Sequence, residues 1–529
     1  MPTDCISYQD SGYFSPLMND YLNQKDTLNK LYNRFPTTAN FEKQLLEKSE
    51  NFSHDTRATL VSVLKEQYSN IATSTLTNQN IDLLKADTTF TITTGHQLNL
   101  FSGPLYFLYK IISTINLTKE LKSNYPTHNF VPVYWMATED HDFEEINYFN
   151  FKGKKFRWNK ESTGPVGRLS TEGLSEFFEI YQQELGTSTN AEYLKKVFTK
   201  SYLDHDNLAD ATRYLADALF GQHGLVILDA DNQDLKRNFI PYIKEELLQQ
   251  TSHKAVLETT EQLQAYNIQV NPREINLFYI EDKIRERIIL ENGIYKVNNT
   301  KIEFTTDQIL ALLDSNPAHF SPNVIMRPLY QEVILPNLCY IGGGGEIAYW
   351  LELKSFFDVV NITFPMLLVR NSVVLVTEKQ AKKAAKLHLT WSDLFAKQLQ
   401  LIENQTKQLS DFSIDMSPLK EQLKYQFEAL YAITKHTDES FAGAVKAQET
   451  KQINGLDNLE KRLLSAQKRK LADVLERITD LQNEIFPNKS LQERQTNFSE
   501  FYLEYGEKLI PTLLEQLKPL DQNFTITIL

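Results

Sequence analysis

Five short β-prone runs recur between residues 85 and 375, and amphipathic helical segments separate them. The runs cover residues 89–94, 131–137, 225–228, 277–280 and 365–376. Strands that alternate with helices in this way favour a parallel sheet whose strands are joined by crossover helices. The sequence therefore predicts an α/β fold with a doubly wound parallel sheet, carrying small insertions at about 147–220.

After residue 377 the chain becomes poor in helix-breaking residues, and long helices are the natural prediction. Apolar residues recur at three- and four-residue steps from Leu456 to Ile485 with a one-residue slip, which is typical of a coiled coil with one stutter. A second apolar stripe, Leu419 to Ile433, suggests an antiparallel hairpin that turns between residues 436 and 455. An ordinary helical bundle is the alternative.

The predicted domains are a core at 1–377, a helical coiled-coil dimerisation domain at 378–505, and a C-terminal segment at 506–529. Residues 524–529 alternate like a strand, and we expect them to return to the sheet.

Charge, cysteine content and hydropathy narrow the class of protein. A formal net charge of -13 argues against nucleic acid as the main partner. Cys5 and Cys339 are far apart and lack CxxC spacing, so a reducing compartment is expected. No signal-peptide pattern and no run of about 18 apolar residues is present, which predicts a cytoplasmic protein without a membrane partner.

Polar residues crowd the positions at which two of the predicted strands end. Glu139, Asp140, His141 and Asp142 follow the run 131–137, and His96 follows the run 89–94. Ligands of open α/β sheets bind at the carboxyl ends of strands. Both segments therefore point to one pocket.

The acidic cluster has several interpretations. It could supply a general base, hold an ammonium group or bind a divalent metal. If the segment is extended, side chains alternate, and only Glu139 with His141, or Asp140 with Asp142, would converge. Neither HExxH nor CxxC is present, so we predict no metal site. Asp142 could instead cap a helix with Glu145 three residues later, and His96 could be structural.

Other candidate groups lie further along the chain. Four successive glycines, residues 342–345, leave the backbone free to surround an anionic or polar group. Arg327 and Arg370 are candidate forks for a carboxylate or phosphate, with a structural ion pair as the alternative for each. Lys110 is expected on a solvated helix face, and the apolar neighbours of Cys339 suggest a buried, unreactive thiol.

Four ordered blocks of the sequence belong together. They are Thr94-Gly95-His96-Gln97 with Ser102-Gly103-Pro104-Leu105-Tyr106, Glu139-Asp140-His141-Asp142-Phe143, Ser321-Pro322-Asn323-Val324 with Arg327-Pro328, and Gly345-Glu346-Ile347-Ala348-Tyr349-Trp350. In these blocks the chain resembles the bacillithiol biosynthesis cysteine-adding enzyme family. The resemblance spans nearly the whole chain. It implies a Rossmann-like core and a coiled-coil domain that forms a homodimer.

The resemblance also implies a ligase that joins the carboxyl of L-cysteine to the glucosamine amine of glucosaminyl malate. The product is bacillithiol, a low-molecular-weight thiol, and this is the last step of its biosynthesis. Amide formation requires an activated carboxyl, for which ATP or another nucleotide is the simplest donor. A metal-dependent hydrolase that uses Glu139 to Asp142, and a non-catalytic metabolite-sensing coiled-coil protein, are the alternatives.

On this basis we predict three catalytic residues, His96, Asp140 and His141. The predicted substrate-binding residues are Gln97, Asn99, Gly103, Glu139, Asp142, Gly343, Gly344, Gly345, Glu346, Tyr349, Arg370 and Asn371.

Overall fold

A computed structural model describes residues 4–529, and these residues contain fifteen β-strands. The strands are β1 (Asp4–Ser7), β2 (Thr89–His96), β3 (Asn129–Met136), β4 (Tyr148–Phe151), β5 (Lys154–Arg157), β6 (Val226–Asp229), β7 (Leu277–Glu281), β8 (Ile284–Glu291), β9 (Ile294–Val297), β10 (Glu303–Phe304), β11 (Phe320–Pro322), β12 (Asn337–Gly342), β13 (Met366–Val369), β14 (Ser372–Val376) and β15 (Asn523–Ile528).

A five-stranded parallel sheet in the order β13-β12-β2-β3-β6 forms the centre of the fold. The first strand of this sheet along the chain is β2. Strands β3 and β6 follow on one side of it, and β12 and β13 follow on the other side. Strands β2 and β3 are buried along almost their whole length because helices cover both faces of the sheet. The predicted doubly wound parallel sheet is confirmed.

Three strand assignments differ from the expectation. Strand β7, at the predicted run 277–280, belongs to a separate sheet of order β10-β9-β8-β7-β11 with antiparallel pairings. The run 365–376 is two strands, because the chain turns at Arg370-Asn371 between β13 and β14. Strand β15 joins a three-stranded sheet with β1 and β14 instead of the parallel sheet.

Contacts divide the chain into two units. The first comprises residues 1–374 and 491–527, and the second comprises residues 375–490 with 528–529. The α-helices of the first unit are Tyr8–Ser11, Pro16–Leu22, Thr38–Asn51, His54–Gln67, Thr75–Leu83, Tyr106–Asn124, Phe143–Ile146, Leu174–Leu185, Thr189–Phe198, Leu208–Phe220, Gln233–Arg237, Ile240–Gln249, Thr251–Gln262, Thr306–Ser315, Met326–Ile334, Gly344–Leu351, Lys354–Val359, Gln492–Gln495, Phe498–Tyr505 and Leu509–Gln516.

The expected insertion is a β4–β5 hairpin followed by three α-helices between Leu174 and Phe220. Residues 491–505 group with the first unit, whereas the sequence pattern placed them with the long helices. Polar contacts connect these residues to the first unit, for example the ion pair between Glu493 and Arg370. A pattern of apolar residues does not reveal such contacts.

The second unit is helical. Its α-helices are Glu378–Lys386, Trp391–Phe395, Gln398–Gln408, Ser417–Thr434, Glu439–Lys470 and Ala472–Ile485. Helices Ser417–Thr434 and Glu439–Lys470 form an antiparallel hairpin, in which Lys420 pairs with Glu460 and the Tyr431 hydroxyl donates to Glu449. The predicted stutter is a helix break at Leu471, and the predicted hairpin is confirmed.

Candidate active site

A cavity of about 720 Å³ opens at the carboxyl ends of β2, β3 and β12 in the first unit. Eight of the predicted site residues line it, namely His96, Gln97, Glu139, Asp140, His141, Asp142, Glu346 and Tyr349. The residues after β2 and the residues after β3 therefore share one cavity, as expected from the convergence of strand ends at a sheet edge.

Asp140 is held in the cavity wall by hydrogen bonds to both of its carboxylate oxygens. The Gln97 amide donates to Oδ2 over 2.9 Å, and the backbone N–H of His141 donates to Oδ1 over 2.8 Å. Among residues 4–529, no lysine or arginine lies within ion-pair distance of this carboxylate. Asp140 is thus a fixed anion available to a ligand.

The chain turns at residues 137–140, where the Asp140 N–H donates to the Ala137 carbonyl over 3.2 Å, so the segment is not extended and the expected alternation of its side chains is wrong. One ligand atom from each of Asp140, His141 and Asp142 lies within 4.8 Å of the others. The alternative that Asp142 caps a helix through its side chain is also wrong. The four-residue helix Phe143–Ile146 begins after Asp142 without a hydrogen bond from that carboxylate.

The His141 imidazole contacts a guanidinium. Arg285 Nη1 lies 2.7 Å from His141 Nδ1, and because arginine only donates, Nδ1 accepts this hydrogen bond. The ring is then neutral with its proton on Nε2. His141 can donate from Nε2, but it acts as a base at Nδ1 only if the Arg285 contact breaks. The same guanidinium charge opposes a metal cation at the Asp140, His141 and Asp142 cluster.

Glu139 lines the cavity and belongs to a buried charge network that extends behind its wall. Its Oε1 lies 2.6 Å from Lys236 Nζ, which also lies 2.9 Å from Asp231 Oδ1. Burial lowers the pKa of Lys236, but the two carboxylates outweigh this and leave it raised. Burial raises the pKa of Glu139 despite the Lys236 charge. The ammonium of Lys236 therefore neutralises Glu139, and Asp140 is the less compensated acid.

Lys110 connects the ends of β2 and β12. Its Nζ lies 2.6 Å from Glu346 Oε1 and donates to the Gly95 carbonyl over 2.7 Å, with only 4% of the side chain exposed. The expectation of a solvated helix face is wrong, since the helix Tyr106–Asn124 packs against the sheet. Burial acts to raise the pKa of Glu346, and the Lys110 charge reverses this and lowers it.

His96 lies beside this pair and is buried. Burial first, and then the charges of Lys110 and Arg370, lower the pKa of His96 well below its usual value. Its Nε2 has no hydrogen-bond partner among the described residues. A neutral imidazole of this kind can accept or donate one hydrogen bond, but it does not carry positive charge near pH 7.

Four arginines line the cavity and have no carboxylate at ion-pair distance among residues 4–529: Arg273, Arg285, Arg287 and Arg327. Sequence reasoning singled out only Arg327. The signal for two others was the alternation in β8, since positions 285 and 287 of a strand share one face. Arg285 stacks on Phe278, with its guanidinium carbon 4.1 Å from the ring centroid.

Three predicted residues lie in the interior and do not line the cavity. Asn99 donates to the Glu145 carbonyl. Gly103 has a positive φ of 62°, and a Cβ there would lie 2.7 Å from the Asn99 Cβ. Asn371 is buried, donates to the Lys518 carbonyl and accepts from the Ser113 hydroxyl. Each of these three residues supports the surrounding backbone.

Arg370 and the residues Gly343–Gly345 also lie outside the main cavity, around a smaller one. Two Arg370 nitrogens donate to the two oxygens of Glu493, over 2.9 and 2.7 Å. The structural alternative for Arg370, an ion pair, is therefore confirmed. Cys339 is fully buried, and burial raises the pKa of its thiol well above the usual value.

Comparison with known proteins gives the family. A model described as "Bacillithiol biosynthesis BshC, N-terminal Rossmann-like domain" matches residues 1–371, and one described as "Bacillithiol biosynthesis BshC, C-terminal coiled-coil domain" matches residues 373–529. The chain belongs to the bacillithiol biosynthesis BshC family. The resemblance seen in the sequence blocks is confirmed, as are the Rossmann-like core and the coiled-coil domain.

Similar proteins match over almost their full length and carry the name "Putative cysteine ligase BshC". That of Flavobacterium johnsoniae is 72% identical, with 99% of each chain covered. Those of Flavobacterium psychrophilum and Christiangramia forsetii are 64% and 58% identical, again with 99% of each chain covered.

Proposed function

We propose that this protein is a carbon–nitrogen ligase that joins the carboxyl of L-cysteine to the amine of glucosaminyl malate and so forms bacillithiol. Family membership and the names of similar proteins support the reaction. One structural observation carries the assignment of the site. A single cavity holds a carboxylate, Asp140, with no lysine or arginine at ion-pair distance, and four arginines with no carboxylate at that distance among residues 4–529.

The distribution of charge in the cavity matches the two ends of the proposed acceptor. Glucosaminyl malate has an amine at one end and two carboxylates at the other. Asp140 and Asp142 form an anionic wall for an ammonium group, and Arg273 and Arg287 supply a cationic wall for carboxylates. Arg285 contacts His141 next to the two acids and is not counted in either wall. Arginine suits this task because its planar donors match a carboxylate in pairs.

Asp140 is the residue to which we assign the proton transfer. The amine must lose a proton as its nitrogen attacks the activated cysteine carboxyl, and the activating group leaves with one carboxyl oxygen. The Gln97 and His141 N–H hydrogen bonds hold the Asp140 carboxylate in one orientation. A positioned base of this type contributes typically ~10²–10⁴ in rate.

Arg327 is the residue that would hold an anionic activating group such as a nucleotide phosphate, and Lys110, whose charge Glu346 balances, would add an N–H donor. Arg327 donates to the Tyr349 hydroxyl over 3.3 Å, and both cations face the cavity near Glu346. ATP or another nucleotide is therefore a candidate co-substrate. His96, neutral and beside Lys110, would add one hydrogen bond to the same region.

The test is a reconstituted assay. Purified protein is incubated with L-cysteine and glucosaminyl malate, with and without ATP, and bacillithiol is measured by mass spectrometry. We expect product in at least one arm and none when either substrate is omitted. Absence of bacillithiol in both arms would contradict the proposal. Activity towards ester or amide substrates that chelation abolishes would favour the metal-dependent hydrolase instead.

We further propose that the helical unit forms a homodimer. Large apolar side chains are exposed along its hairpin, and those of Leu419, Ile433 and Leu459 are 50%, 52% and 51% exposed. A second copy of the hairpin is the partner we propose for this stripe, since coiled-coil surfaces pair through such residues. Sedimentation velocity of the wild type and of an Ile433→Glu variant tests this. A wild-type monomer would contradict it.

A cytoplasmic location completes the proposal. Cys5 and Cys339 are both free thiols, which suits a reducing compartment. No helix in residues 4–529 is both long and apolar enough to cross a bilayer. Fractionation of the native organism, followed by detection of the chain with a specific antibody, tests the location. Recovery in the periplasmic fraction would contradict it.

A further inference from the structure

A second cavity of about 160 Å³ lies at the N-terminus of the helix Gly344–Leu351, within the first unit. Gly343, Gly344, Gly345, Arg370, Glu493 and Arg494 contribute to its wall. It is too small for a nucleoside and of the right order for a tetrahedral oxyanion. No residue of this wall lines the main cavity.

The first-turn N–H groups of this helix have no acceptor within the helix. The Glu346 carboxylate accepts from the Gly343 N–H over 3.1 Å, which leaves the N–H groups of Gly344 and Gly345 for a ligand. A helix N-terminus carries partial positive charge and favours anions. Since neither Gly344 nor Gly345 has a positive φ, the backbone conformation does not require glycine at these positions.

Packing does not require these glycines either. A Cβ at Gly345 would meet no atom within 4 Å, and one at Gly344 would make ordinary contacts with Met18 and Phe14. The absence of side chains instead leaves the first turn open, so that an anion can approach the backbone closely.

Arg370 supplies an independent observation. Its side chain is 3% exposed, and its Nε–H is buried without an acceptor, although its other nitrogens bind Glu493. A Cβ built on Gly343 would lie 3.9 Å from this Nε, so the unsatisfied donor lies beside the glycine turn, and Arg370 is part of the wall of the same cavity. Buried donors without acceptors are rare in folded proteins and call for an explanation.

The net charge at this cavity is positive. Glu493 is neutralised by Arg370, with which it forms two hydrogen bonds. Arg494 is exposed at the cavity, and no carboxylate among residues 4–529 pairs with it. The cavity therefore combines a helix N-terminus, a buried free N–H and an additional guanidinium.

We propose that this second cavity is a binding site for a phosphate-class oxyanion. The Gly344 and Gly345 N–H groups and Arg370 Nε hold the anion from within, and Arg494 closes over it from the solvent side. The anion is either free inorganic phosphate or the terminal phosphate of a nucleotide whose remaining part stays outside. The site does not depend on the ligase assignment.

The test is titration of the full-length protein with inorganic phosphate, followed by calorimetry and by ³¹P line broadening. Gly345→Asp places a carboxylate in the first turn, where the helix tolerates it, and occupies the site. Gly345→Asn is the matched neutral control. We expect the aspartate to weaken phosphate binding roughly tenfold or more and the asparagine to weaken it less.

Arg494→Met, with Arg469→Met in the helical unit as control, provides a second arm. We expect Arg494→Met to weaken binding and Arg469→Met to leave it unchanged. Failure of the wild type to bind phosphate, or equal binding by Gly345→Asp and Gly345→Asn, would overturn the proposal. ATP that competes with phosphate assigns the site to a nucleotide terminus, and ATP that does not compete assigns it to the free anion.

Discussion

The segments that follow β3 and β13 look alike in sequence but differ in what their charges contact. Each places charged residues at the carboxyl end of a buried parallel strand. After β3, Asp140 faces the main cavity, and no lysine or arginine in residues 4–529 lies within ion-pair distance of its carboxylate. After β13, Arg370 is enclosed and binds Glu493 through two hydrogen bonds.

The difference shows that a charged strand end predicts a site only when the charge lacks an internal partner. Glu493 is 123 residues from Arg370 in the chain, and no local pattern indicates that the two meet. Both groups of this pair are buried, and each needs the other's charge, whereas Asp140 is only half-buried and its carboxylate reaches the cavity. The comparison therefore separates a residue that acts on ligands from one that maintains the fold.

The largest expected effect is on turnover. Asp140→Asn keeps the shape of the side chain but removes the charge and the base, so we expect ligation to fall by ~10²–10⁴ with an unchanged melting temperature. Steady-state product formation measures this. Asp314→Asn, an exposed aspartate far along the chain, is the control and should behave as wild type. Unimpaired turnover in Asp140→Asn would remove this residue from the mechanism.

The second effect is on stability. Glu493→Ala leaves the Arg370 guanidinium buried without a counter-charge, and we expect it to lower the free energy of unfolding by about 3–5 kcal/mol. Urea denaturation measures the loss. Lys420→Ala removes two hairpin ion pairs, to Asp457 and Glu460, whose cation is more exposed, and it should lower the free energy of unfolding much less. Similar losses in the two variants would mean that the Arg370 pair is not structurally special.

The third effect is on substrate affinity. Arg287→Met removes one guanidinium from the cationic wall, and we expect the KM for glucosaminyl malate to rise by roughly tenfold or more with little change in kcat. Arg287→Lys retains the charge, so its KM for glucosaminyl malate should rise less. Glucosamine without malate is the control substrate. If Arg287→Met impairs its use equally, the arginine does not recognise the malate carboxylates.

The smallest effect is a shift in the pH profile. Burial already raises the pKa of Glu139, and the Lys236 charge opposes this rise. Lys236→Met removes the opposing charge, so the pKa rises further and Glu139 becomes protonated at a higher pH. We expect the acidic limb of kcat/KM to move to higher pH. The double variant with Glu139→Gln should lose this shift, and persistence of the shift would assign it to another group.

Much of the fold follows from local pattern. The alternation of strands and helices predicted the parallel sheet, and the change in texture after residue 377 predicted the helical hairpin. The assignment of β7 to the parallel sheet failed because a short apolar strand looks the same in either kind of sheet. The assignment of β15 to the parallel sheet was wrong for a similar reason. Alternation of apolar and polar residues indicates a strand but not the strands it pairs with, and β15 pairs with β1.

Site residues that follow directly after a parallel strand could be predicted from the sequence. Site residues that reach the cavity through tertiary contacts could not. His96, Gln97 and residues 139–142 were found because parallel strands end at a common edge. Arg285 lies in β8 of the antiparallel sheet, and Arg273 lies in the segment that precedes β7. The sequence pattern of the parallel sheet does not indicate that the antiparallel sheet contributes to the cavity. The Lys110–Glu346 pair was missed because it joins the ends of two distant segments.

The most direct measurement is a crystal structure of the protein soaked with glucosaminyl malate. The account predicts density in the main cavity, with the amine within hydrogen-bond distance of Asp140 and a malate carboxylate at Arg273 or Arg287. Well-defined substrate bound elsewhere, with Asp140 facing only solvent, would contradict it.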